Sequence, residues 1–450
     1  MSIAAAQSRI RFGLGAALGQ GSIDDPRAAL KAQLAGPDPG LASALSGLPS
    51  GADAMAALHA DVAARKALLQ SGTKLAGNFK PQSRDLYLAD GKAQLDWAVR
   101  TDAGFRERLV WFWTNHFTVS IDQGETAGLV GPFIREAIRP HVTGRFTDMV
   151  LAVERHPAML RYLSNDSSVG PDSIAGQRSG RGLNENLGRE SMELHTVGLA
   201  AGYSQTDVTN MAKILTGWSV AGPRQPGDAT GFLFRPMAHE PGAQTVLGQS
   251  FAGGEDAGIA ALTYLSQYPT TYRVLARKLV THFVADTPPP DAVARIASVL
   301  QETGGDLAAA SAALVDLPAA WIPLTKLKTP LEYVVSVLRV APPPAGQPPV
   351  NDLGALKLLG QPLWGAPLPN GWPDQAADWD GSAAVMSRID WGFTYAARFD
   401  NGDMGVQPAA FADAALGPLV RPATARAMAA AGSRREALAM LFAAPEFQRR

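Results

Sequence analysis

The sequence predicts a mainly α protein: one large multi-helix domain with at most one small β-hairpin near residues 230–248. Three observations carry that prediction. A chain of 450 residues, 46% of them hydrophobic, has enough apolar surface for a large core. Its apolar residues recur at helical spacing through most of its length. Its glycines and prolines, 45 and 33 in number, gather in punctuating stretches, the pattern of many helices joined by defined loops.

The elements follow in chain order. From Phe105, the positions Phe105, Leu109, Phe112, Trp113, His116 and Phe117 share one helical face. His156 precedes Pro157 and is expected to cap the helix that carries Met159 and Leu160. A central helix is expected over about 185–201, and another from Thr206 to Trp218 through Val208, Met211 and Leu215. Gly231–Phe234 and Thr245–Leu247 alone read as strands, and a turn at His239-Glu240-Pro241-Gly242 would pair them. Tyr272, Leu275, Leu279 and Phe283 align on the next helix. Thr329, Pro330 and Glu332 then spell a capping box that starts a helix running through Leu338. On this reading, residues 1–340 form the main helical body, 341–350 a proline-rich connector and 351–450 a C-terminal helical segment packed on the same domain. The loop over 166–182, with Arg178 and Arg181, is long enough to act as a lid.

Composition removes several function classes. Lys and Arg number 40 against 41 Asp and Glu, and a net charge of −1 offers no basic footprint for a nucleic-acid backbone. The chain has no cysteine, so disulfides, thiolate metal sites and cysteine nucleophiles are excluded. Any metal must sit on His, Asp or Glu. No run of about 18 apolar residues suggests a spanning helix. Arg9 and Arg11 follow Ala4-Ala5-Ala6, the reverse of a signal peptide's order, so no export signal is expected, and the compartment is left open. Walker, His-Glu-x-x-His and Gly-x-Ser-x-Gly signatures are absent. Gly13-Leu14-Gly15 lacks the preceding strand that a dinucleotide loop requires.

The chemistry concentrates in the segment from Asn184 to Gly198. On a helical wheel Asn186, Glu190, Glu193 and Val197 form one stripe beside an apolar face, so carboxylates including Glu185 are expected to enter the fold with this helix. Glu190 and Glu193, three apart, can converge on a divalent metal with a histidine from another helix, and His116 and His282 both lie on apolar stripes. Alternatively Arg189, Arg277, Lys278 or Arg135 could neutralise them in an ion network. On a regular helix His195 points roughly 140–160° away from both carboxylates and would not share their ion. His239, at the expected hairpin tip, reads as the mobile member of a site. Trp364, Trp372, Trp379 and Trp391 could form an exposed cluster that stacks on sugar rings or on a partner, but are expected to fold back onto the helical core.

Six blocks, in order, resemble a bacterial domain-of-unknown-function family, the one numbered 1800. They are Trp111–Phe117, Asn184–His195, Asp207-Val208 with Thr216-Gly217-Trp218, Arg277-Lys278-Leu279 with His282-Phe283, Lys326–Pro330 and Pro369–Pro373. The resemblance spans about Arg11 to Phe447. It implies no reaction, but it does imply that members are often exported and encoded beside a sulfatase-like exported family. Two functions are therefore expected. In the first, an enzyme or metal-binding protein uses Glu190, Glu193 and His239 catalytically, with Glu190, Glu193, His116 and His282 as ligands of a divalent metal. In the second, the chain is a non-catalytic scaffold or maturation partner of a sulfatase-like envelope protein.

Overall fold

The computed structural model describes residues 1–75, 77, 79–123, 125–180, 182–222, 227–400 and 407–450. Arg181 lies outside them. Helices dominate, and no helix is long and apolar enough to cross a membrane. The Phe105 stripe becomes helix Gly104–His116, and the Tyr272 stripe becomes Pro269–Phe283. Thr329 accepts the Glu332 N–H while Glu332 reaches back to Thr329, which starts helix Pro330–Val340 as its sequence specifies. His156 caps Pro157–Tyr162 through its own ring nitrogen.

Buried side chains gather in two clusters. The first runs from Phe12 to Ala320 and packs helix 104–116 against 269–283. The second joins helix 330–340 to the C-terminal helices and takes in Ala6, Ile10, Leu14, Leu95 and Ala98. Helix 330–340 thus belongs with the C-terminal segment in packing, and the N-terminal turns bridge both clusters. Buried Arg11 fixes this bridge by donating to Phe283 O, Val284 O and Ile322 O, which include otherwise unpaired carbonyls at a helix end. The glycine-rich segment is likewise structural, because Arg108 donates to Gly13 O and Arg339 to Gly15 O.

Two expectations change. There are two antiparallel ribbons among the described residues, not one hairpin: β1 (Trp218–Val220) pairs with β2 (Phe232–Phe234), and β3 (Gln244–Val246) with β4 (Gln249–Phe251). The second ribbon closes at Leu247 and Gly248, both at positive φ, a two-residue turn that a leucine does not advertise. The central helix is also not continuous. Asn186–Glu190 is α-helical, Ser191–His195 widens into a π turn, and the chain breaks at Thr196 before a 3-10 turn at Leu199–Ala201.

Gly258 shows how closely these layers meet. A Cβ there would lie 2.4 Å from the Trp218 ring. Gly258→Ala is expected to cost about 1–3 kcal/mol by overpacking, read as a lower denaturant midpoint at unchanged slope.

Candidate functional site

Between the two clusters lies a cleft of about 540 Å³. Val110, Phe112 and Val119 line it from the first cluster, and Leu95, Leu356 and Leu363 from the second. A seam between packed units is where ligand sites commonly form, and this volume suits a small molecule. Helix 104–116 presents Asn115 and His116 to it, helix 269–283 presents Arg277, Lys278 and His282, and the segment after Pro369 presents Asn370, Trp372 and Asp374.

Polar contacts organise its walls. Asn115 closes a two-bond clasp on Trp372: Oδ1 accepts from the Trp372 N–H and Nδ2 donates to the Trp372 carbonyl, each at 2.8 Å. Gly371 lies against the same residue at φ +79°, where a Cβ would come 2.5 Å from Asn115 O. The clasp positions Asp374, whose Oδ2 lies 3.0 Å from His282 Nδ1. With Nδ1–H donating to that carboxylate, His282 Nε2 carries the lone pair, and it is a buried atom without a hydrogen-bond partner among the described residues. Burial pushes His282 below its ordinary pKa, with Asp374 pulling the other way, so the ring is held toward the neutral form. Burial alone would raise Asp374, but His282, Lys326 and Arg450 outweigh it and keep the carboxylate ionised.

A second chain of contacts runs beneath. Lys278 Nζ donates to His116 Nδ1 and to Leu194 O, both at 3.1 Å. His116 Nε2 donates to His195 O at 3.1 Å, and His195 Nδ1 donates to Glu154 Oε1 at 2.6 Å. The π turn aims the carbonyls of residues 194 and 195 at this chain. Burial pushes Lys278 down to about 8, and burial, then Lys278, takes His116 well below its usual value.

The structure does not bring Glu190, Glu193, His116 and His282 to one point. Among the described residues no three His, Asp or Glu side chains form a group that could hold a metal ion. His116 presents one nitrogen to an ammonium and the other to a carbonyl, and His282 is engaged by Asp374. Glu193 accepts from Tyr203, and half-buried Glu190 is raised chiefly by burial, with Glu193 adding to it. Among the described residues neither Glu190 nor Glu193 forms an ion pair, and Arg189 pairs with Glu185 and Arg135 with Asp90. Glu185 stands at the surface with Gln205 and Thr209, so the fully buried carboxylate of this region is Glu154. His239 is not free, because Nδ1 donates to Thr216 O at 2.8 Å and Nε2 accepts from the Gly254 N–H at 2.7 Å. The 166–182 loop is tied down through the Asp172 N–H to Glu240, which itself pairs with Lys213. Three of the four tryptophans fold back, Trp379 being buried and Trp364 and Trp391 packing against the cores, while Trp372 lines the cleft.

Residues 7–449 match the family model described as a protein of unknown function, DUF1800. The chain belongs to the DUF1800 family. No curated protein and no solved structure matches it. The geometry adds meaning to the family blocks. Trp111–Phe117, Arg277–Phe283, Lys326–Pro330 and Pro369–Pro373 are far apart in this DUF1800 chain, yet each contributes to the one cleft. Asp374, immediately after the last block, and Asn115, within the first, were there to be read. Glu154 had a weaker signal, a carboxylate continuing the apolar face of Met149, Val150 and Val153.

Proposed function

We propose that the cleft is a small-molecule site and that His282, backed by Asp374, is the group that exchanges a proton with the bound ligand. The observation that carries this reading is the His282 ring itself, on a residue that lines the cleft: one nitrogen is anchored on a carboxylate, and the other is a buried acceptor with no partner among the described residues. A carboxylate-held neutral imidazole is suited to take a proton from a hydroxyl or water, because Asp374 fixes the tautomer and stabilises the imidazolium that forms. Lys326 and Arg450 in turn hold Asp374. This moves the chemistry from the Glu190 and Glu193 pair to the cleft and needs no metal shared among distant side chains.

The test uses 3-(2-naphthyl)propanol, an apolar neutral probe with one hydroxyl. It is expected to bind once per chain, to shift the His282 Nε2 resonance in ¹⁵N-histidine spectra, and to be excluded by Val274→Trp, which fills the cleft. Binding with the His282 resonance unmoved would remove the proton-exchange role. A cleft that takes up no ligand would favour the scaffold reading, which co-purification with a sulfatase-like partner would then test.

A further inference from the structure

The geometry points to Lys278, with Arg277 beside it, as an anion subsite of this cleft, which makes its ligand an apolar or aromatic molecule bearing a carboxylate or phosphate head. The inference rests on the cleft being a ligand site and deepens that reading. Both protein acceptors of the Lys278 ammonium, His116 Nδ1 and Leu194 O, are neutral. Neither Lys278 nor Arg277 forms an ion pair among the described residues, although both line the cleft. An ammonium carries three donors, and two are occupied.

The carboxylates that line the cleft, Asp374 and Glu332, are committed elsewhere. Asp374 faces His282, Lys326 and Arg450, and Glu332 faces Arg108 and Arg450. Glu154 faces His195. Lys278 is partly buried and has no counter-charge among the described residues, so an anion entering the cleft would offset the cost of its burial. His116 fixes the ammonium in place: its Nε2–H is spent on His195 O, so Nδ1 can only accept, and it accepts from Lys278. The cleft walls also include the aromatic side chains of Trp111, Phe112, Trp364 and Trp372. They would cover the body of the ligand while its head pairs with Lys278.

Calorimetric titration with three naphthyl probes separates the cases: 3-(2-naphthyl)propanoate, 2-(2-naphthyl)ethyl phosphate and the neutral 3-(2-naphthyl)propanol. At least one anion is expected to bind wild type roughly 10–100-fold more tightly than the alcohol, and Lys278→Met is expected to erase that preference while leaving alcohol binding unchanged. The carboxylate and phosphate arms show which head the site prefers. Arg277→Gln, at an exposed position, should weaken the anions several-fold and serves if Lys278→Met does not fold. Equal binding of alcohol and anions, in wild type and variants alike, overturns the anion subsite and leaves the cleft standing. Failure of all three to bind overturns both.

Discussion

Glu332→Gln is expected to destabilise the protein by about 3–5 kcal/mol at neutral pH, the scale for breaking a buried ion pair from one side. Glu332 is 3% exposed and serves three partners at once. One carboxylate oxygen caps the Thr329 N–H, Arg108 pairs with the other, and Arg450 Nε reaches the carboxylate at 2.9 Å. Both guanidiniums are themselves fully buried, Arg108 against Gly13 O and Arg450 against His282 O. A glutamine can keep the cap but takes the only ion-pair partner Arg108 has among the described residues and leaves Arg450 with Asp374 alone. The pH dependence follows from the same contacts. Burial alone would raise the Glu332 pKa; Arg450 and then Arg108 override it and hold the carboxyl well below the ordinary value of 4.5. A carboxyl depressed in the folded state stabilises the fold above its unfolded pKa and loses that contribution as pH falls below it. The gap between wild type and Glu332→Gln in urea unfolding should therefore be full at pH 7 and narrow as pH falls below about 4.5. A gap that is small at pH 7, or constant to pH 3, would contradict this account.

That pair also marks what sequence can reveal. The capping box at Thr329, Pro330 and Glu332 is local, written within four residues, and it forms as read. The stripes that became helices 104–116 and 269–283 are local too. The second duty of Glu332 is not: Arg108 lies 224 positions away and Arg450 118, so no spacing rule connects them. The same holds for the cleft, whose walls come from segments brought together only by tertiary packing. The π turn at Ser191–His195 has no compositional mark, and reading 185–201 as one regular helix put Glu185, Glu190 and Glu193 together inside. With the turn widened and broken at Thr196, the carbonyls of Leu194 and His195 accept from Lys278 and His116, and the buried carboxylate is Glu154 from another helix. His116 and His282 stood out in the sequence because an imidazole on an apolar stripe must find a partner, but those partners, Lys278 and Asp374, could not be assigned without the fold.

Asn115→Ala is expected to open the cleft wall while leaving most of the protein in place. Its side chain makes both bonds of the Trp372 clasp, and their loss, with the Trp372 N–H and carbonyl left without this partner, amounts to about 2–4 kcal/mol. The cost is expected to fall on one segment, because both side-chain bonds of Asn115 go to Trp372. Asp374 lies two residues beyond the clasp and holds the His282 tautomer, so releasing the segment should free the ring to exchange tautomers and blur the ¹⁵N resonances of His282. Affinity for the naphthyl probes should fall by on the order of 10-fold or more, with only a small drop in Tm, since opening a single wall is a sub-global event. Gly371→Ala should do the same from the other side, since its Cβ would collide with Asn115 O at a positive φ. Gln375→Ala, at an exposed position just past the clasp, should change neither readout. If Asn115→Ala instead lowers Tm as steeply as Glu332→Gln, the clasp is part of the global core and the cleft wall is not an independent unit. If probe affinity survives both Asn115→Ala and Gly371→Ala, the segment after Pro369 does not form the ligand's wall.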